Sequence, residues 1–83
     1  MPNHVIAREL DDELMLYDAQ RDSVHVLNRT ARRIHELYKE GMSLDGMEQR
    51  LRKEFAVPPD QEIRTGIHAC IDELLDKGLV EVR

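Results

Sequence analysis

Apolar and polar residues alternate with a period of two through the first third of the chain and with a helical period from residue 29 onward. Residues 4–9 read as a first strand, and Asp11-Asp12 as a turn. Over residues 13–18, Leu14 and Leu16 fall on one face and Met15 and Tyr17 on the other, the signature of a strand. Residues 19–22 are a polar turn. Residues 23–27 are rich in β-branched side chains, with Val24 and Val26 on one face and His25 and Leu27 on the other. The valine face is assigned to the core and His25 to the opposite side. Three short strands joined by tight turns predict an antiparallel meander.

The helical half begins without a linker. The Asn28 side chain can accept from the free N–H groups of a first turn, so it caps a helix over 29–39 with Ala31, Ile34, Leu37 and Tyr38 inward. Gly41 suits the left-handed position after that helix. Ser43 caps a second helix carrying Leu44, Met47, Leu51 and Phe55, which Val57-Pro58-Pro59 stops. A third helix is expected over 60–77, with Ile63, Ile67, Cys70, Ile71, Leu74 and Leu75 inward and Gly78 ending it. Leu79, Val80, Glu81 and Val82 form a short extended tail that packs back on the domain. The order βββααα is an α+β arrangement. Its third strand runs straight into a capped helix and lies at the edge of the sheet, and an edge strand carries unpaired N–H and C=O groups that can template another chain.

Eighty-three residues make one domain with little room for a second core. No apolar run approaches the roughly 18 residues of a membrane span. Met1-Pro2-Asn3-His4 carries no basic n-region, so no secretory signal is read there. Cys70 is the only cysteine, which excludes an internal disulfide and suits a reducing cytosol.

The net charge of −5 is uneven, with −4 in residues 1–22, +2 in 23–54 and −3 in 55–83. That balance disfavours nucleic acid, whose affinity comes from Lys and Arg on phosphates. The four histidines do not make a metal site: His68 and Cys70 are two apart on a helix and point to different faces, and His4, His25 and His35 lack ligand spacing. Ser23 and Ser43 are accounted for by a strand start and a helix cap. The glycines are dispersed, so no loop cradles a phosphate. No enzyme activity and no cofactor are indicated. Arg29, Arg32, Arg33 and Lys39 form a basic cluster diluted by Glu36 and Glu40, a solvated face or a docking surface for an acidic partner.

The run Leu16-Tyr17-Asp18, six residues, His25-Val26-Leu27-Asn28-x-Thr30-Ala31, then helix and Gly, a Leu44-x-x-Met47-x-x-x-Leu51-x-x-x-Phe55 helix, and Leu74-Leu75-x-x-Gly78-Leu79-Val80 resembles the PqqD-like family over nearly the whole chain. The family's founding member is the coenzyme PQQ synthesis protein D. Its members are peptide chaperones, also called recognition elements for ribosomally made, modified peptides. The resemblance implies a winged-helix-like fold, a three-stranded antiparallel sheet followed by three helices, over residues 1–83. It also implies a binding mode. The leader of a precursor peptide adds as a further strand to the third strand, Ser23, Val24, His25, Val26 and Leu27. Its side chains enter a groove whose other wall is the third helix, presenting Ile63, Arg64, Ile67, His68 and Ile71. The implied partners are the precursor peptide and a modifying enzyme, often of the radical-SAM type. Three positions depart from the family pattern: Asp22 stands where a turn Gly is frequent, Gly66 where an Asp is, and Cys70 where an aromatic is.

The expectation is therefore a non-catalytic, cytosolic adaptor that binds a leader by strand addition. The rival reading is a winged-helix DNA-binding module. Against it, the third helix carries Asp60, Glu62, Asp72, Glu73 and Asp76 but only Arg64 and Lys77. A third reading is a small oligomerisation module, in which the same edge strand pairs two copies.

Overall fold

The computed structural model describes residues 3–82; Met1, Pro2 and Arg83 lie outside the described residues, and with them half of the N-terminal stretch inspected for a signal. Strands β1 (Val5–Leu10), β2 (Glu13–Asp18) and β3 (Ser23–Leu27) precede helices α1 (Arg29–Lys39), α2 (Leu44–Glu54) and α3 (Arg64–Asp76). The strands form one antiparallel sheet in the order β1-β2-β3, the expected meander. Two aspartates make its turns possible. Asp11 and Asp22 both adopt positive φ, 51° and 49°, a region their short polar side chains tolerate better than most.

Asp18 organises the second turn. Its Oδ1 accepts the backbone N–H of Gln20 at 3.0 Å and of Arg21 at 3.2 Å. Tyr17 donates its hydroxyl to Asp22 at 2.7 Å across the same turn. Arg21 then reaches the carbonyl of Lys77 at 2.9 Å, tying the β2–β3 turn to the C-terminal end of α3.

α1 packs on the inner face of β2 and β3, and α2 and α3 pack against α1 and against each other. Leu14 and Leu16 of β2 and Val5 of β1 meet Ile34, Leu37 and Tyr38 of α1, Met47 and Leu51 of α2, and Ile67 and Leu74 of α3. Each fully buried aliphatic side chain contributes about 1.5–3 kcal/mol by removal from water. The tail packs back as expected, with Leu79 and Val80 closing the core below α3. Asn28 and Ser43 cap α1 and α2 through their side chains, accepting from Ala31 and Gly46. Gly41 and Gly78 take positive φ after α1 and α3, where a Cβ would be strained.

Two expectations are corrected. Val24 and Val26 do not face the core: they are 56% and 53% exposed. The register pairs His25 with the fully buried Leu16, and residues directly opposite share a face. Ser23, His25 and Leu27 therefore point toward the helices, and the valines join Ile6 and Leu10 on the open face. A β-branched pair reads equally well on either face of a strand, because the propensity reports fit to a pleated surface.

The third helix also starts later than expected, at Arg64 rather than residue 60. Arg52 explains this. Its guanidinium holds the carbonyls of Pro58 at 3.1 Å and Gln61 at 2.7 Å, and a helix from residue 60 would have used the second of these internally. The Thr65 N–H turns instead to the Glu62 carboxylate at 2.8 Å, which caps the helix and holds that carboxyl below its usual range.

Candidate functional site

β3 is an edge, and its backbone polarity follows from the ladder. The Ala19 N–H donates to the His4 carbonyl at 2.8 Å, so Ala19 points its backbone groups at the β1 side. Along an antiparallel strand these directions alternate. Asp18, Leu16 and Leu14 therefore bond toward β3, where their partners are Ser23, His25 and Leu27. The N–H and C=O groups of Val24 and Val26 are left pointing outward. One strand thus presents two valine side chains on the open face and four backbone hydrogen-bonding groups along its rim.

Beside that rim lies a gap. No Cα of β3 comes within 8 Å of one in α3. The space between them, about 220 Å³, is walled by His25, Val26 and Leu27 on one side and by Cys70, Glu73, Leu74 and Lys77 on the other. A second recess of about 460 Å³ continues it past the start of α1, bounded by Ile34, Leu51, Phe55, Val57, Ile63, Gly66 and Ile67. The two share Asn28, Ala31 and Cys70, so they form one groove. Burial, with Glu73 behind it, pushes the Cys70 thiol up, so it stays neutral at the centre of the groove. Glu73 is held low by its hydrogen bond to Lys77 at 2.7 Å, and His25 across the gap acts in the same direction.

The structure separates the sequence-named residues into two groups. Ser23, Val24, His25, Val26 and Leu27 form the edge, and Ile63 and Ile67 line the larger recess. Arg64 and His68 stand on the far side of α3. Arg64 is held by Asp45 and by Glu48 at 3.2 Å, which ties α3 to α2. His68 pairs with Asp72 at 3.1 Å beside a shallow recess on that same side. Ile71 is half-buried against the core and lines neither part of the groove. Across the gap from β3 stand Cys70, Glu73 and Leu74 of α3 and Lys77 after it, while Gly66 and Ile67, with Ile63 before the helix, line the larger recess. Their spacing of three and four was present in the sequence. Ile63 and Ile67 belong to the expected groove wall; Gly66, Cys70, Glu73, Leu74 and Lys77 are added by the structure.

The three arginines of the basic cluster on α1 are spent on structure. Arg33 makes a two-pronged bond to Glu54 at 2.8 and 2.9 Å. Arg32 binds Glu9 and the Asp11 and Glu13 carbonyls at 3.0 and 3.3 Å. Arg29 lies 4.9 Å over the Phe55 ring. Among the described residues no group of three or more His, Cys, Asp or Glu could hold a metal ion, and no helix is long and apolar enough to cross a membrane.

Comparison with known proteins agrees with this architecture. None of the curated proteins compared with the chain matches it significantly. A solved structure described as TbiB1 in complex with the TbiA(beta) leader peptide superposes with a TM-score of 0.80 at 23% identity, covering 100% of this chain and 95% of that one. The likeness establishes the shared fold. The sequence pattern of the family described as Coenzyme PQQ synthesis protein D matches residues 13–80, from the start of β2 through the buried tail. With that match across most of its length, the chain belongs to the PqqD family.

Proposed function

We propose that this chain is a non-catalytic peptide chaperone that holds the leader of a ribosomally made precursor peptide and presents it to a modifying enzyme. The observation that carries the reading is the open rim of β3 beside an apolar groove. Val24 and Val26 offer N–H and C=O groups with no partner strand, and alternate side chains of an added strand would drop between β3 and α3. Main-chain bonds then supply affinity and the groove supplies selection. Family membership supports this reading, as does the fold shared with a protein solved in complex with a leader peptide. Holding the leader raises the effective concentration of the attached segment at a separate active site, which is how a chain without catalytic groups serves catalysis. The partner enzyme is of the radical-SAM type in this reading, and the setting is cytosolic. Two copies pairing through the same edge would compete with the leader.

A titration of the isotope-labelled chain with candidate leader peptides tests the proposal. Amide shifts are expected to move most along Val24, Val26, Gly66, Cys70 and Glu73. Shifts confined to α1 between Arg29 and Lys39 would place the site on the basic cluster and overturn strand addition. Tight, sequence-selective DNA binding with a steep salt dependence would overturn the functional class.

A further inference from the structure

Among the described residues, Arg8 is the one arginine with no partner inside the fold. Every other holds a carboxylate, a carbonyl or, for Arg29, the Phe55 ring. Arg8 stands in the middle of β1, opposite Met15. Alternation along the strands places it on the open face of the sheet, between Ile6 and Leu10 and in line with Met15 and Val26. Ile6, Leu10, Val24 and Val26 are all exposed there. An apolar patch that crosses three strands marks an interaction surface more often than a solvated one. An arginine set among apolar neighbours is a frequent anchor of such surfaces. Glu13 lies on the same face: it pairs with Leu10, one row from Arg8 and on the neighbouring strand. Its carbonyl accepts from Arg32, and among the described residues its carboxylate has no partner.

We propose that this open face binds a second copy of the chain, sheet against sheet. A two-fold axis passing between Arg8 and Glu13 lays the guanidinium of one copy on the Glu13 carboxylate of the other, and the reverse, as a contact between identical surfaces requires. The face is thus self-complementary, with one free cation and one free anion that are both satisfied in the pair. A partner surface of a single sign of charge satisfies only one of them. Around the two ion pairs, Ile6, Met15, Val24 and Val26 of the two copies exclude water. The area agrees with a second copy held loosely. Strands of five and six residues, spaced about 4.8 Å apart, give a face of roughly 20 by 14 Å. Two such faces bury on the order of 1,000 Å² together, the lower limit for a specific pair. Association is therefore expected at a dissociation constant of about 100 μM. Stacked sheets leave the outward N–H and C=O groups of Val24 and Val26 free on both copies. Pairing through this face therefore does not compete with an added strand, whereas pairing through the edge does.

The test is sedimentation equilibrium of the chain between about 20 μM and about 1 mM, a range that brackets the expected constant. Arg8→Glu and Glu13→Arg each put like charges across the two-fold axis, and each is expected to weaken association roughly fivefold or more. Neither side chain has a partner within the chain, so circular dichroism of both variants is expected to match the parent. An equimolar mixture of the two variants is expected to recover the parent's association, because each copy then supplies the charge that the other lacks. The double variant Arg8→Glu with Glu13→Arg is expected to recover it alone. In spectra of the labelled chain at rising concentration, the methyl groups of Ile6, Met15 and Val24 are expected to shift together, since they span all three strands. A monomer at the highest concentration, parental association in either single variant, or a mixture that stays monomeric overturns the proposal. Shifts confined to the backbone of β1 or of β3 overturn it as well, because they place the contact at a sheet edge.

Discussion

A proline placed at either of two neighbouring positions of β3 separates the edge from the ladder. Proline removes one N–H and fixes φ near the extended range, so its effect depends on where the lost donor pointed. At Val26 the donor points outward, away from β2. Val26→Pro leaves the β2–β3 ladder intact and changes a half-exposed position, so stability is expected to shift by no more than about 1 kcal/mol. A leader strand paired at this rim loses its donor, and its carbonyl is left unpaired in a partly dry groove. That costs about 1–3 kcal/mol, a weakening of roughly 5- to 150-fold.

At His25 the donor points inward, to the carbonyl of Leu16, a residue with no exposed surface. His25→Pro orphans that carbonyl inside the core. The penalty of about 1–3 kcal/mol then falls on folding, a large share of the roughly 5 kcal/mol that a small domain has. Urea denaturation gives the stability of each variant, and calorimetry with the leader gives its affinity. The expected pattern is a folded Val26→Pro that binds poorly and a His25→Pro with a clearly lower urea midpoint. If Val26→Pro is destabilised as much as His25→Pro, or binds the leader like the parent, the assignment of the free rim is wrong.

Three further outcomes follow from other parts of the molecule. His35 on α1 is only 1% exposed and neither ring nitrogen has a hydrogen-bond partner; burial first, then Lys39, lowers its pKa from 6.5 to about 4. The folded state therefore disfavours the proton that the unfolded state accepts: stability is full above pH 6.5 and falls by about 3 kcal/mol as pH drops toward 4. His35→Leu is expected to remove that slope between pH 6.5 and 4.5 in urea titrations, and a slope unchanged in the variant refutes the assignment. Asn28→Ala removes the bond of 2.9 Å to the Ala31 N–H, and is expected to cost about 1 kcal/mol in urea melts while the helix persists by circular dichroism. Arg52→Ala frees the Pro58 and Gln61 carbonyls, and hydrogen exchange of residues 60–63 is expected to accelerate while exchange in β2 stays unchanged.

The sequence by itself determined the order of elements and most of their ends. Asn28, Ser43, Gly41 and Gly78 act within a turn of where they stand, through a cap or a positive φ, and local rules read them directly. The alternation shows Leu14 and Leu16 on one face of β2 and Met15 and Tyr17 on the other, and packing makes the leucine face the inner one. The family was legible too, because its motifs are these same caps, turns and tail. The direction of β3 was not. Its valines suit either face, and only the register with β2, set by the turn at Asp22, sends them outward and leaves their backbone groups free. The start of α3 is equally beyond a pattern reading, since Arg52, six and nine residues back on α2, holds the carbonyls of Pro58 and Gln61. The groove wall depends on both. Which stripe of α3 faces β3 is decided by packing against α1 and α2. There Arg64 is drawn to Asp45 and Glu48, and the plainer residues Cys70 and Glu73 are left to line the gap and Gly66 the larger recess.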